Sequence, residues 1–173
     1  MGRASTKKDK NVYQLLREDL GLTREKASEL LEVISPERIE KIESEKSQAH
    51  PDEILVMAEK YKKPSLRNYY CTHECPIGQR HMKEVKSKDL TAIVLRMLAS
   101  MNAMQRSQER LIEIGADGRI QDQEIPDFIQ IQEELNQISV MVETLKLWAE
   151  EKLAKGEINL EKYQMYKNIK NED

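Results

Sequence analysis

Both cysteines of the chain lie in one short segment that also contains two of its three histidines. They are Cys71 and Cys75, with His73 between them and His81 just beyond. Thiols and imidazoles at this spacing can bind zinc or an iron–sulfur cluster, although a second, distant ligand pair is missing. The same thiols can also form a reversible redox switch, or pack as small apolar groups beneath a neighbouring domain. Packing is the commonest role of such a pair, so we predict no cofactor and keep the metal and redox alternatives open.

No other set of residues indicates catalysis. The sequence has no glycine-rich phosphate loop and no nucleophile with a matched base. It contains only three histidines, which leaves few candidates for proton transfer near neutral pH. The sequence therefore predicts a protein that is not an enzyme.

Length and composition favour a helical protein. The chain has 173 residues, of which 34% are charged, and contains only six glycines and five prolines, which suits helices better than a sheet. This length allows a small domain followed by a helical extension. Because the sequence has no run of about 18 apolar residues and no signal-peptide core, we expect a cytoplasmic protein without membrane contact.

Charge is distributed unevenly along the chain. Residues 1–68 hold 14 basic and 13 acidic residues, whereas residues 69–173 hold 14 and 18. An acidic C-terminal half suits contact with protein better than contact with nucleic acid. Residues 1–10 are locally basic, and we interpret them as a flexible arm that solubilises the chain or follows a DNA backbone.

The sequence predicts five short helices between residues 11 and 68 that close one small core. A final short turn of helix is expected at 65–68. The residues expected to cap or open the other helices are Asn11, Thr23, Ser35 and Pro51. The apolar residues expected on the inner faces of the first three helices are Val12, Leu15, Leu16, Leu20, Ala27, Leu30, Leu31, Ile39 and Ile42.

The second and third of these helices carry a recognisable residue pattern. Thr23 opens the second helix, and Ser35, Ile39, Ile42 and Glu43 follow in the third at the spacing Ser-x-x-x-Ile-x-x-Ile-Glu. This region resembles the XRE, or lambda-repressor-like, helix-turn-helix regulators over about residues 11–68. The resemblance implies an all-α, five-helix DNA-binding domain whose third helix enters the major groove of double-stranded DNA. It also implies a sequence-specific transcriptional regulator.

The resemblance assigns a set of residues to the DNA contact, either with bases and phosphates or at the starts of the two helices. These residues are Thr23, Arg24, Lys26, Ser35, Glu37, Arg38, Lys41 and Lys46. The chain departs from the family pattern where Glu32 and Glu45 replace expected glycines. Without glycine at position 32, the left-handed backbone of the turn between the two helices is less accessible.

Four glutamates on or near the third helix weaken the expected attraction to phosphate. They are Glu37, Glu40, Glu43 and Glu45. The alternative is therefore a protein-interaction or adaptor module that kept the helix-turn-helix scaffold but binds DNA weakly or not at all. In that alternative the acidic C-terminal helices hold a protein partner, and Cys71 with Cys75 provides a metal or thiol sensor.

The C-terminal half is predicted to dimerise. After a cysteine-containing linker at 69–87, residues 88–173 form a helical domain in which two long amphipathic helices make an antiparallel hairpin. Along the second long helix, apolar residues recur in alternating steps of three and four: Phe128, Ile131, Leu135, Ile138, Val142 and Leu145. Because two such helices bury only part of their apolar surface against each other, we expect a second copy to complete a four-helix bundle.

Overall fold

The computed structural model describes residues 10–86, 89–116 and 118–169, and every regular element in these ranges is helical. The all-α prediction is therefore confirmed. No helix in the described ranges combines the length and the apolar character needed to cross a membrane. Nine of the ten residues of the predicted basic arm, the predicted start of the hairpin at residue 88, and Asp117 in its connection lie outside the described residues.

The helices fall into two compact units. The first unit contains the described residues up to Glu84 together with those from Glu151 onward, and the second unit is Val85–Glu150. A 3₁₀ turn at Asp122–Glu124 precedes the longest helix. The helices are α1 (Val12–Asp19), α2 (Arg24–Leu31), α3 (Pro36–Glu43), α4 (Pro51–Lys60), α5 (Ser65–His73), α6 (Pro76–His81), α7 (Leu90–Gly115), α8 (Ile125–Ala154) and α9 (Leu160–Ile169).

Side-chain caps fix the starts of the first three helices, as predicted. Oδ1 of Asn11 accepts a hydrogen bond from the backbone N–H of Gln14. The hydroxyls of Thr23 and Ser35 accept the equivalent bonds, each from the backbone N–H three residues later. Each cap satisfies a donor that the first helical turn would otherwise leave unpaired.

The core of the first unit is formed by α1 to α5, and the predicted inner face of α1 is right only in part: Val12 and Leu16 pack against the core, as predicted. Leu15 and Leu20 are 52% and 43% exposed, whereas Tyr13 and Arg17 are buried. The orientation of α1 is set by polar side chains on its inner face, which form hydrogen bonds with side chains of other helices. The buried apolar residues are Tyr13, Ala27, Leu31, Ile34, Ile39, Ile42, Ala49, Ile54, Met57, Ala58, Tyr61 and Leu66.

The segment predicted as a linker is largely helical instead. Helix α5 continues to His73, and α6 follows directly and packs against it. Gly78 permits this contact, because a Cβ at that position would lie 2.0 Å from the carbonyl oxygen of Cys71. Tyr69 and Tyr70 extend α5 because their rings pack against the core.

The two positions where glycine was expected adopt positive φ without it. Glu32 has φ of 64°, and the N–H of Val33 bonds the carbonyl of Leu31 at 2.7 Å, which makes a tight three-residue turn between α2 and α3. Glu45 has φ of 61° at the end of α3. At both positions hydrogen bonds and packing hold a backbone that the side chain disfavours.

The second unit consists of α7 and most of α8. Near the connection between them, the guanidinium of Arg110 donates to Oδ2 of Asp127 at 2.7 Å. Ile93 near the start of α7 and Leu147 near the end of α8 are buried, which fits two helices that run antiparallel. Among the residues predicted to dimerise, Ile131 is buried and three are half-buried, whereas Leu135 and Val142 are 44% and 38% exposed. The half-buried residues are Phe128, Ile138 and Leu145.

Replacing Glu45 by glycine should stabilise the first unit by about 1 kcal/mol, because glycine removes the left-handed strain at the end of α3. Hydrogen exchange of the buried amides in α3 would measure this gain in stability as a slower rate of exchange. Glu29→Gly provides a matched control in the exposed interior of α2, where glycine should instead cost about 1 kcal/mol. Equal destabilisation by both substitutions would contradict the assigned strain.

Candidate nucleic-acid interface

A buried carboxylate joins the first three helices. The side chain of Glu43, near the end of α3, is only 1% exposed and accepts hydrogen bonds from two arginines. Arg17 of α1 donates from Nε and, at 3.0 Å, from Nη2, whereas Arg24 of α2 donates from Nε at 2.9 Å. We call Arg17, Glu43 and Arg24 the ion triad. It fixes α3 against both α1 and α2.

Arg17 is the buried arginine of the ion triad. Its side chain is 8% exposed, and its Nη1 also donates to the backbone carbonyl of Leu22, just before α2. The hydrogen bond to Glu43 raises the pKa of the guanidinium, although burial acts in the opposite direction. Glu43 was predicted to be one of four acidic groups on or near the third helix that weaken attraction to phosphate. In the structure its charge is directed inward and neutralised.

Arg38 was predicted to contact DNA, but its guanidinium is engaged inside the first unit. Nε and Nη2 donate to the two carboxylate oxygens of Glu53 at 2.6 and 2.7 Å, and further bonds reach the Ser47 hydroxyl and the Gln48 carbonyl. Burial acts to raise the pKa of Glu53, but the bonds from Arg38 and from the N–H of His50 outweigh it and lower the pKa. Arg38 therefore holds α3 against the start of α4.

The remaining predicted contact residues lie at the surface around α3. Ser35, Glu37 and Lys41 are exposed on α3, and Lys26 is exposed on α2. Neither lysine makes a side-chain hydrogen bond or an ion pair with any residue that the structure describes. The other three predicted residues are partly engaged: Thr23 caps α2, Arg24 belongs to the ion triad, and Lys46 pairs with Glu40 at 2.9 Å.

The surface around α3 is nearly neutral. With Glu43 and Arg38 turned inward, the acidic groups left beside α3 are Glu37, Glu40 and Glu45, and the basic groups are Lys41, Lys46 and the 35% exposed side chain of Arg24. Such a surface attracts phosphate only weakly. Contact with DNA therefore has to rely on a few well-placed side chains.

Sequence reasoning missed an apolar tip beside this surface. Val33 is 76% exposed and Leu30, predicted to face the core, is 38% exposed. Both flank the tight turn at Glu32 that leads into α3. The helical spacing of apolar residues could not predict the exposure of Val33, because the tight turn directs this residue away from the core.

The cysteine segment has a packing role in the structure. Sγ of Cys75 caps α6 by accepting the N–H of Gly78 at 3.5 Å, and both thiols are free. Burial, together with the neighbouring Cys75, raises the pKa of the Cys71 thiol, which disfavours its reactive thiolate. His73 stacks on Tyr69 with ring centroids 4.4 Å apart. No group of three or more metal-binding side chains occurs within the described ranges.

Removing the carboxylate of Glu43 should destabilise the first unit by about 3 kcal/mol, because Arg17 would remain buried without its partner. Urea denaturation of Glu43→Ala, followed by hydrogen exchange in α1 to α3, would measure the loss. Glu37→Ala on the exposed side of the same helix should change the stability by less than about 0.5 kcal/mol. The double variant Arg17→Met with Glu43→Leu removes both charges and should recover most of the loss. A similar loss in all three variants would disprove the role of the ion triad.

Comparison of the chain with protein-family models, with curated proteins and with solved structures gives no match. The function of the surface around α3 is therefore inferred from its own residues.

Proposed function

We propose that this protein is a sequence-specific DNA-binding regulator that acts as a homodimer, with α3 as the helix that enters the major groove. The observation that carries the proposal is the outward-facing start of α3 on a helix that the ion triad and Arg38 brace from several sides. A short helix held in this way can present side chains to base edges in a fixed register. The resemblance of residues 11–68 to lambda-repressor-like regulators agrees with this role.

Four side chains carry the proposed contact. Ser35 marks the start of α3, and Lys26 and Lys41 supply exposed ammonium groups, of which Lys41 also acts electrostatically on Glu37. The exposed part of Arg24 lies near them at the start of α2 and can reach a phosphate while Arg17 keeps Glu43 neutralised. Because so few cations contribute, one copy would bind DNA weakly, and two copies on one site would give the affinity that a regulator needs.

The second unit provides a surface for pairing. On α8, Leu135 and Val142 lie seven residues apart and are both exposed, although they belong to the same regular pattern as the buried Ile131. On α7, four further apolar residues are exposed at steps of four, four and three, which places them on one side of the helix. They are Leu90, Val94, Leu98 and Met101. A second copy that covers these side chains would complete a four-helix bundle.

The DNA contact can be tested by charge reversal. DNA is first selected from a random library by the natural chain. This DNA should bind at least roughly tenfold more weakly to Lys26→Glu and to Lys41→Glu. Each change should also reduce the slope of log affinity against log salt concentration by the equivalent of about one phosphate contact per copy. Fluorescence anisotropy across a salt series measures both quantities. Lys83→Glu reverses an exposed charge after α6 and should bind as the natural chain does. Failure of the natural chain to retain any DNA at low salt would overturn the proposal.

Dimerisation can be tested separately. Leu135→Glu combined with Val142→Glu places charges in the expected interface and should convert the protein to a monomer in sedimentation equilibrium. Ile129→Glu is the matched control, because Ile129 is 54% exposed and lies on another side of α8. A natural chain that is monomeric at all concentrations, or an equal effect of the control, would argue against this interface.

A second candidate function is a protein-interaction module. The observation in its favour is the apolar tip formed by Leu30 and Val33, next to a surface that is nearly neutral. Exposed apolar side chains contribute more to protein contacts than to phosphate binding. This candidate would gain support if charge reversal at Lys41 left the cellular activity intact while a charge at Val33 abolished it.

A further inference from the structure

A cleft of about 480 Å³ opens in the first unit where α1, α3 and α5 meet. Its walls include Tyr13 of α1, Glu45 just after α3, and Tyr69, His73 and Glu74 at the end of α5. We propose that this cleft binds a small organic cation that carries an ammonium or guanidinium group. The proposal concerns a different part of the first unit from the outward start of α3, and it does not depend on DNA binding.

The charge of the cleft favours a cation. Its lining contains the carboxylates of Glu45 and Glu74 but no lysine or arginine. One oxygen of Glu74 accepts a hydrogen bond from the Tyr13 hydroxyl at 2.6 Å, and its other oxygen has no bond to a described residue. The carboxylate of Glu45 likewise makes no hydrogen bond or ion pair within the described ranges. Two carboxylates can therefore accept donors from a ligand.

The ends of two helices add to this negative potential. Glu74 is the C-cap of α5, and Glu45 lies just beyond Ser44, the C-cap of α3. The C-terminus of a helix carries partial negative charge that stabilises nearby cations. The start of α1 also borders the cleft, but Asn11 covers it by accepting the N–H of Gln14 and by donating to the carbonyl of Ile42 at 2.8 Å.

Aromatic walls favour an organic cation over a metal ion. The rings of Tyr13 and Tyr69 meet edge to face with centroids 6.3 Å apart, and His73 stacks on Tyr69. Burial, then the charges of Glu74 and Glu45, raise the pKa of the Tyr69 hydroxyl, so both carboxylates act on the same ring. Aromatic rings attract alkylammonium and guanidinium groups, and they give an apolar surface to the carbon chain of such a ligand.

The dimensions of the cleft suit a single small molecule. A volume of about 480 Å³ lies within the range of small-ligand sites and is too small for a helix of a protein partner. A ligand bound there would contact α1, α3 and α5 together. Binding should therefore stabilise the packing of these three helices by mass action.

Isothermal titration calorimetry of the full chain at physiological ionic strength tests the proposal. The probes are putrescine for the ammonium group, agmatine for the guanidinium group, and butanediol as the uncharged analogue of similar length. We expect saturable binding of at least one cation at one site per chain, and no binding of butanediol. Absence of binding by both cations, or equal binding of butanediol, would overturn the proposal.

Two double variants locate the site. Glu45→Gln with Glu74→Gln should weaken binding of the cation about tenfold, because two favourable charges are lost. Glu29→Gln with Glu59→Gln removes the same charge from exposed positions outside the cleft and should leave the affinity unchanged. Circular dichroism would establish that both variants fold. Equal weakening in both would indicate general attraction to an acidic protein and would refute the cleft as the site.

Discussion

The first unit depends on one buried carboxylate shared by two guanidinium groups. Glu43 lies on α3, Arg17 on α1 and Arg24 on α2, so a single set of hydrogen bonds joins three short helices that also share the apolar core. Isolated helices of eight residues are unstable in water. Burying the charge is costly, but once both arginines are in place any other arrangement of the helices would leave a charge unpaired. The free-energy cost of an unpaired buried charge therefore favours this one arrangement of the three helices.

The same principle explains why the surface around α3 has so few free cations. Arg38 and Arg17 form internal ion pairs with Glu53 and Glu43, respectively. These ion pairs strengthen the scaffold but remove positive charge from the protein surface. A scaffold braced by arginine–carboxylate pairs is rigid and weakly charged at its surface. In the proposed function, such a surface would recognise DNA by shape and a few direct contacts rather than by long-range attraction, and pairing of two copies would compensate for the weak attraction of each.

Local signals in the sequence and the pattern of apolar residues each predicted part of the fold. The apolar pattern correctly placed Ala27, Leu31, Ile39 and Ile42 in the core. The caps at Asn11, Thr23 and Ser35 depend only on residues three positions away, and all three predictions were confirmed. The apolar pattern misplaced α1 because Leu15 and Leu20 resemble core residues, whereas the residue that faces inward is Arg17. No local rule identifies Glu43 as its partner, 26 residues further along the chain. Ion pairs across such separations become visible only once the helices are packed.

The C-terminal end of α3 lies beside both the ion triad and the cleft. Glu43 anchors it to α1 and α2, and Glu45, two residues later, enters a strained backbone and faces the cleft beside α5. The outward start of the same helix is less than three turns away from this end. Because a two-turn helix cannot bend appreciably, any ligand that shifts its end relative to α1 and α5 must also move its start. The cleft and the proposed DNA contact therefore lie at opposite ends of one short, braced helix.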